Sequence, residues 1–221
     1  MKKLILITGA TDGIGLATAK LLISQGHHVL VHGRNIKKLE NTLSTLSKLA
    51  VDPMVEGFLG DLSNFSDVKN LAKSVSEKYP KIDVLINNGG VLKTAMTVTA
   101  EGFGIRFVVN TFAPFLLTQL LLPTIGKFGR VINLSSAAQS PVNLDAMEGK
   151  TKITDDLSAY AQSKLALTMW SRHLGLALKD SGPMIIAVNP GSLLASKMVT
   201  EGFGVAGNDI PVLPQDACFR V

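Results

Sequence analysis

Tyr160-Ala161-Gln162-Ser163-Lys164 sets a phenol and an amine four residues apart. On a helix, positions i and i+4 share a face, so the two side chains point the same way. A phenol titrates near ~10, so acid–base work near neutrality needs roughly three units of depression, about 4 kcal/mol. A neighbouring ammonium supplies part of that. The pair could serve as a general acid or base. The second tyrosine, Tyr79, lies beside Pro80 and has no such partner. A tyrosine and lysine at this spacing are most often a solvated helix face, so the pair gains meaning only from what accompanies it.

Four polar clusters accompany it. Asn87-Asn88-Gly89-Gly90 follows Asp83-Val84-Leu85-Ile86, and Ser135-Ser136 follows Val131-Ile132-Asn133-Leu134. Val109-Asn110 lies in an expected helix, and Asn189-Pro190-Gly191 follows Ile185–Val188. Near the start runs Thr8-Gly9-Ala10-Thr11-Asp12-Gly13-Ile14-Gly15. Glycines let the backbone turn tightly and approach a pyrophosphate, and the free amides of the following helix attract the anion. The spacing TGxxxGxG differs from GxGxxG but has the same strand–turn–helix setting, so nucleotide binding is expected. The next strand ends at His32-Gly33-Arg34-Asn35, with an arginine and no acid. Arg34 suits the 2′-phosphate of NADP, which makes NADP(H) the favoured cofactor and NAD(H) the second choice. Asp12 opposes that choice, because a carboxylate in the turn does not help an extra phosphate.

These clusters must be positioned by regular elements. Leu4–Ile7, Val29–Val31, Phe58–Leu59, Val84–Ile86, Val131–Leu134 and Ile185–Val188 are short apolar runs, as expected of strands buried on both faces. Helical spacing occupies Gly13–Gln25, Asn35–Lys48, Ser63–Lys78 with a capping serine, Glu101–Leu122 and Leu157–Leu178. Strict alternation predicts an α/β fold, a doubly wound parallel sheet of the Rossmann type. Its ligand crevice lies beyond the carboxyl ends of the strands, where every cluster falls.

Composition removes other classes. The 221 residues are 46% hydrophobic, which excludes disorder. One cysteine excludes an internal disulfide and a cysteine zinc motif, and the histidines lack ligand spacing, so no metal is expected. The net charge of +5 is scattered, without the basic block that a nucleic-acid surface shows. Phe112–Ile125 is too short an apolar stretch to span a bilayer, so no membrane partner and a cytoplasmic location are expected.

In family order, TGxxxGxG, NNGG, the Val109-Asn110 pair, strand-end serines, YxxxK and Asn189-Pro190-Gly191 resemble the short-chain dehydrogenase/reductase family over Lys2 to about Phe203. The resemblance implies an oxidoreductase that moves a hydride between NADP(H) and a carbonyl or alcohol. It implies catalytic roles for Asn110 (holding a water), Ser136 (binding the substrate oxygen), Tyr160 (acid or base) and Lys164 (binding ribose and lowering the phenol). Gly9, Thr11, Asp12, Gly13, Ile14 and Gly15 would shape the pyrophosphate turn. Asp61 and Leu62 would border adenine, while Asn87 would close the site through its backbone beside Gly89. Pro190 and Gly191 would complete it. Ser135 is the rival to Ser136.

Two departures stand out. Ser136 and Tyr160 are 24 positions apart, and the polar insert from Gln139 to Ser158 is similar to the longer loop of retinol-dehydrogenase-like and WW-domain-oxidoreductase-like members. It reads as a surface excursion. Asp209–Val221 shows no clear strand and 191–221 reads as an atypical, shortened C-terminal segment, so one domain over 1–221 is expected to hold six strands, the family's seventh missing or replaced. That raises an alternative, a catalytically impaired NADP-binding scaffold or sensor. Val91, Leu92, Gln139, Ser192, Leu193 and Leu194 would face an apolar small-molecule substrate. The two long helices would form a homo-oligomer, a dimer rather than a tetramer.

Overall fold

The computed structural model describes residues 1–49, 54–191 and 198. Six strands, β1 (Leu4–Ile7), β2 (His28–Gly33), β3 (Val55–Leu59), β4 (Val84–Asn87), β5 (Arg130–Leu134) and β6 (Met184–Val188), form one sheet in the order β3-β2-β1-β4-β5-β6. All neighbours are parallel. This is the expected doubly wound sheet. The segment expected to lack or replace a seventh strand lies outside the described residues.

The helices are α1 (Gly13–Ser24), α2 (Ile36–Leu46), α3 (Phe65–Lys78), α4 (Ile105–Phe107), α5 (Ala113–Ile125), α6 (Leu144–Met147) and α7 (Asp156–Ala177). Alternation along each strand decides which helices it meets. Ile5, Ile7, Val29, Val31 and Ile86 face α1 and α2 through Ala19, Leu22, Leu39 and Leu46. Leu6, Leu30, Leu85, Val131 and Ile185 face the other layer, against Val68, Leu71 and Val75 of α3 and Leu117 and Leu121 of α5. Both faces are covered, so both sets are apolar. Each fully buried Leu or Ile contributes about 1.5–3 kcal/mol.

Three elements depart from the sequence expectation. First, α3 begins at Phe65 and is capped by Asn64, whose side chain accepts from the Ser66 and Asp67 amides at 2.8 and 3.3 Å. The expected cap, Ser63, instead donates to Asp61 through both its amide and its hydroxyl, each at 2.8 Å.

Second, the long central helix starts at Ile105, not Glu101, and runs to Ile125. It is interrupted by a π-helical turn over Val108–Phe112. The cause is Pro114. It has no N–H for the carbonyl four residues back, that of Asn110, and its ring crowds that carbonyl, so the turn widens. Taken with its π turn, the helical run of 21 residues is long and apolar enough to cross a membrane by length and composition. The shorter stretch considered in the sequence thus understated it. Its apolar window is 67% buried within the protein, as in a core helix.

Third, the insert is partly anchored. Asn143 caps α6, and Ala146 is buried against Phe107 and Ala166.

Candidate active site

The strand order reverses between β1 and β4, and the loops leaving these strands diverge there. The Thr8 amide still donates to Ile86 O at 3.0 Å, so the loops start side by side. Asn88 then binds them together. Its Nδ2 donates to Thr8 O and Gly9 O, both at 2.9 Å, while Thr8 Oγ1 accepts from the Asn88 and Gly89 amides at 3.1 and 3.0 Å. The approach requires glycine. Gly9 has φ +62°, and a Cβ on it would lie 2.7 Å from Gly89 Cα. A Cβ on Gly15 would lie 2.4 Å from Asn88 Nδ2 and 2.5 Å from Gly9 O.

The side chain of Asn87, whose expected role was through its backbone, faces away from the turn. Asn87 lies in β4, buried, and its Nδ2 donates to Thr118 Oγ1 at 3.1 Å and Asn133 Oδ1 at 2.8 Å. Successive strand residues point to opposite faces, so one position separates an asparagine that faces the helix layer from one that clamps the turn. Asn88 is the residue that sequence reasoning passed over.

Two recesses of about 220 and 410 Å³ open at this edge and share Gly9, Asp12, Gly89, Gly90 and Met198 in their walls. The smaller one is also lined by Gly13, Ile14, Ser135, Tyr160, Lys164 and Pro190. The larger one is lined by Thr11, His32, Arg34, Lys38, Asp61 and Leu62. Asp12 caps α1, accepting from the Gly13 amide at 2.8 Å, and lies 3.9 Å from Lys38 Nζ, a charge of opposite sign. Gly191 is not among the described residues that line either recess, and its φ is 122°. Val91 and Leu92 border the larger recess. Ser192, Leu193 and Leu194 lie outside the described residues.

Helix α7, capped by Asp155 on the Ser158 amide at 2.7 Å, carries Tyr160 and Lys164 into the smaller recess. Lys164 Nζ sits 5.6 Å from the Tyr160 ring centroid and donates to Leu134 O at 2.6 Å. The residue is 4% exposed, and among the described residues no carboxylate pairs with it. Burial pushes its ammonium down to about 8. Burial pushes the Tyr160 phenol up, partly offset by a hydrogen bond with the Ser136 side chain. Burial thus raises the phenol in this structure, where the spacing with Lys164 led to the expectation of a lowering.

The two serines separate by their partners. Ser135 Oγ meets Lys164 O at 3.2 Å and Thr168 Oγ1 at 2.7 Å, so it ties β5 to α7. Ser136 is the one beside the phenol. Asn110, on the π turn, is 1% exposed. Its Nδ2 donates to Val91 O and Ser163 Oγ, both at 2.9 Å, and its Oδ1 accepts from the Val91 amide at 2.8 Å. Its side chain is thus committed to holding the loop after β4 against α7. Arg106 does similar work, as sequence reasoning did not foresee. Its buried guanidinium donates to Leu92 O at 2.6 Å and to Asp156 Oδ1 at 2.5 Å, joining that loop to the start of α7.

A family model described as short chain dehydrogenase matches residues 3–203. The chain is 35% identical to polyprenol dehydrogenase of Homo sapiens over 196 residues, covering 84% of this chain and 59% of that protein. It is 34% identical to retinol dehydrogenase 12 of Bos taurus over 205 residues, covering 91% and 64%. The chain thus spans about three-fifths of the length of these relatives. A short chain dehydrogenase of Burkholderia cenocepacia J2315, solved in complex with NADP, superposes with a TM-score of 0.72 at 25% identity, covering 89% of this chain and 76% of that one.

Proposed function

The chain belongs to the short-chain dehydrogenase/reductase family, and from that premise we propose that it transfers a hydride between NADP(H) and a carbonyl or alcohol, with Tyr160 moving the proton. The observation that carries this reading is the meeting, in one recess, of Tyr160, the buried Lys164 amine and the glycine turn, with the Ser136 side chain hydrogen-bonded to the phenol. An ammonium buried without a carboxylate partner, next to a helix N-terminus, suits an anionic dinucleotide.

When bound, the dinucleotide supplies or accepts the hydride. Gly13 and Ile14 at the start of α1 would hold its pyrophosphate, and Asp61 and Leu62 would border its adenine. Arg34 and Lys38, both in the larger recess, would hold a 2′-phosphate. Lys164 spends one of its three donors on Leu134 O, which leaves two for ribose hydroxyls. Tyr160 gives its proton to the oxygen on which negative charge grows, and Ser136 donates to the same oxygen. A positioned acid of this kind contributes about 10²–10⁴-fold. The Lys164 charge opposes the desolvation of the phenolate left behind.

Polyprenol and retinol, after which the two relatives are named, are both apolar alcohols. They support an apolar alcohol or its carbonyl as substrate. The outer faces of α5 and α7, where Phe115, Leu120, Met169 and Leu176 are exposed, support a homodimer.

Cofactor choice is tested by calorimetry. The wild type is expected to bind NADPH more tightly than NADH, and Arg34→Asp to lower or invert that ratio. An unchanged ratio contradicts the assignment of Arg34.

A further inference from the structure

His32 closes β2 and is 2% exposed, at the floor of the larger recess. Its Nδ1 accepts from the Gly9 amide at 3.2 Å, and its Nε2 lies 3.0 Å from Gly60 O. An amide only donates and a carbonyl only accepts. Nδ1 must therefore present its lone pair, and Nε2 must carry the proton. Of the three states open to an imidazole, only this neutral tautomer satisfies both partners.

The two partners belong to different subsites. Gly9 opens the turn after β1. Gly60 leads directly into Asp61, which is itself fixed on both sides. The Asp61 amide donates to Asp67 Oδ2 at 2.9 Å, and its carboxylate accepts twice from Ser63. The backbone ladder also links these loops to β2, through Ala10 N to His32 O at 2.9 Å and Gly60 N to Gly33 O at 3.2 Å. Only the imidazole joins the Gly9 amide to the Gly60 carbonyl across the strand.

We infer that His32 is a positioning residue for the dinucleotide, a neutral strut that holds the pyrophosphate turn and the adenine-side loop at one fixed spacing. The inference rests on the dinucleotide reading of the recess. Burial pushes the imidazole down to about 4, so the strut stays neutral across physiological pH. The Gly9 N–H is spent inside the fold, and the Gly13 amide on Asp12, which leaves the Ile14 amide at the start of α1 for an anion.

The test uses the full chain, with NADPH and NADH as calorimetric probes. His32→Leu removes both bonds at similar volume. His32→Asn can keep the Gly9 bond, and His32→Gln the Gly60 bond. The expected result is a Kd for NADPH about 10-fold weaker in His32→Leu, with Asn and Gln in between and the stoichiometry of folded protein unchanged. Long-range ¹⁵N–¹H correlation on the wild type at neutral pH is expected to show the proton on Nε2. A folded His32→Leu that binds NADPH within about twofold of the wild type overturns the inference, as does an Nδ1–H tautomer or a charged ring. A wild type that binds neither NADPH nor NADH overturns the dinucleotide reading instead, and the tautomer measurement still reports on the strut.

Discussion

Lys164 shows how function and stability oppose each other at a single side chain. Its amine titrates at about 8 in the folded protein against 10.5 for a free side chain, because it is buried. Between those values the folded state holds fewer protons than the unfolded chain, so stability rises with pH across that window. Below about 8 the full cost of burying the charge is carried. Lys164→Met is therefore expected to be more stable than the wild type at pH 7, by about 1–3 kcal/mol, and inactive. Urea melts should show the gain shrinking as pH rises from about 8 towards 10.5. A destabilised variant at pH 7 would contradict this account of the buried ammonium. The pairing of Tyr160 with Lys164 was legible in the sequence because four residues on one helix is a local relation. The choice between Ser135 and Ser136 was not a local matter: what separates them is that Ser135 reaches across to α7. Asn88 was missed for a similar reason, since a strand-end Asn-Asn pair does not declare which member faces the turn.

At the scale of elements, the site depends on how closely the loops after β1 and β4 can approach. Gly15 lies at that junction, and a Cβ there would press on the Gly9 carbonyl and the Asn88 amide. Gly15→Ala is expected to cost about 1–3 kcal/mol of stability. It should also weaken NADPH binding about 10-fold, because the turn must open to accommodate the methyl. Thermal melts with and without NADPH read both effects, and an unchanged NADPH-induced shift would contradict the tight junction. The strands were legible because runs such as Leu4–Ile7 are short, apolar and bounded by turn residues. The π turn was not read, although its cause, Pro114, stands in the sequence. A proline there is equally compatible with the first turn of a new helix, and only the chain's continuation upstream to Ile105 makes it an interior one. The cap of α3 was missed by one residue because Ser63 and Asn64 are both good caps, and Ser63 is drawn to Asp61.

For the whole molecule, strand order does the gathering. Because the sheet reverses between β1 and β4, the glycine turn and the Asn88 loop come from neighbouring strands, while β5 and α7 bring Ser135, Tyr160 and Lys164 from beside them. The apolar surface on α5 and α7 lies away from that edge, where Phe115 stacks edge-on against Trp170 at 5.4 Å. Light scattering is expected to give the mass of a dimer, shifted towards monomer by Met169→Lys; a monomeric wild type at high concentration would contradict the dimer. The measurement that bears most directly on the function is NADPH binding and consumption, with a panel of apolar aldehydes and ketones, by the wild type and Tyr160→Phe side by side. The expected result is turnover by the wild type, and a variant that binds NADPH with an affinity within about twofold of it but turns over about 10²–10⁴-fold more slowly. Near-equal turnover by the two proteins would contradict the role of the phenol.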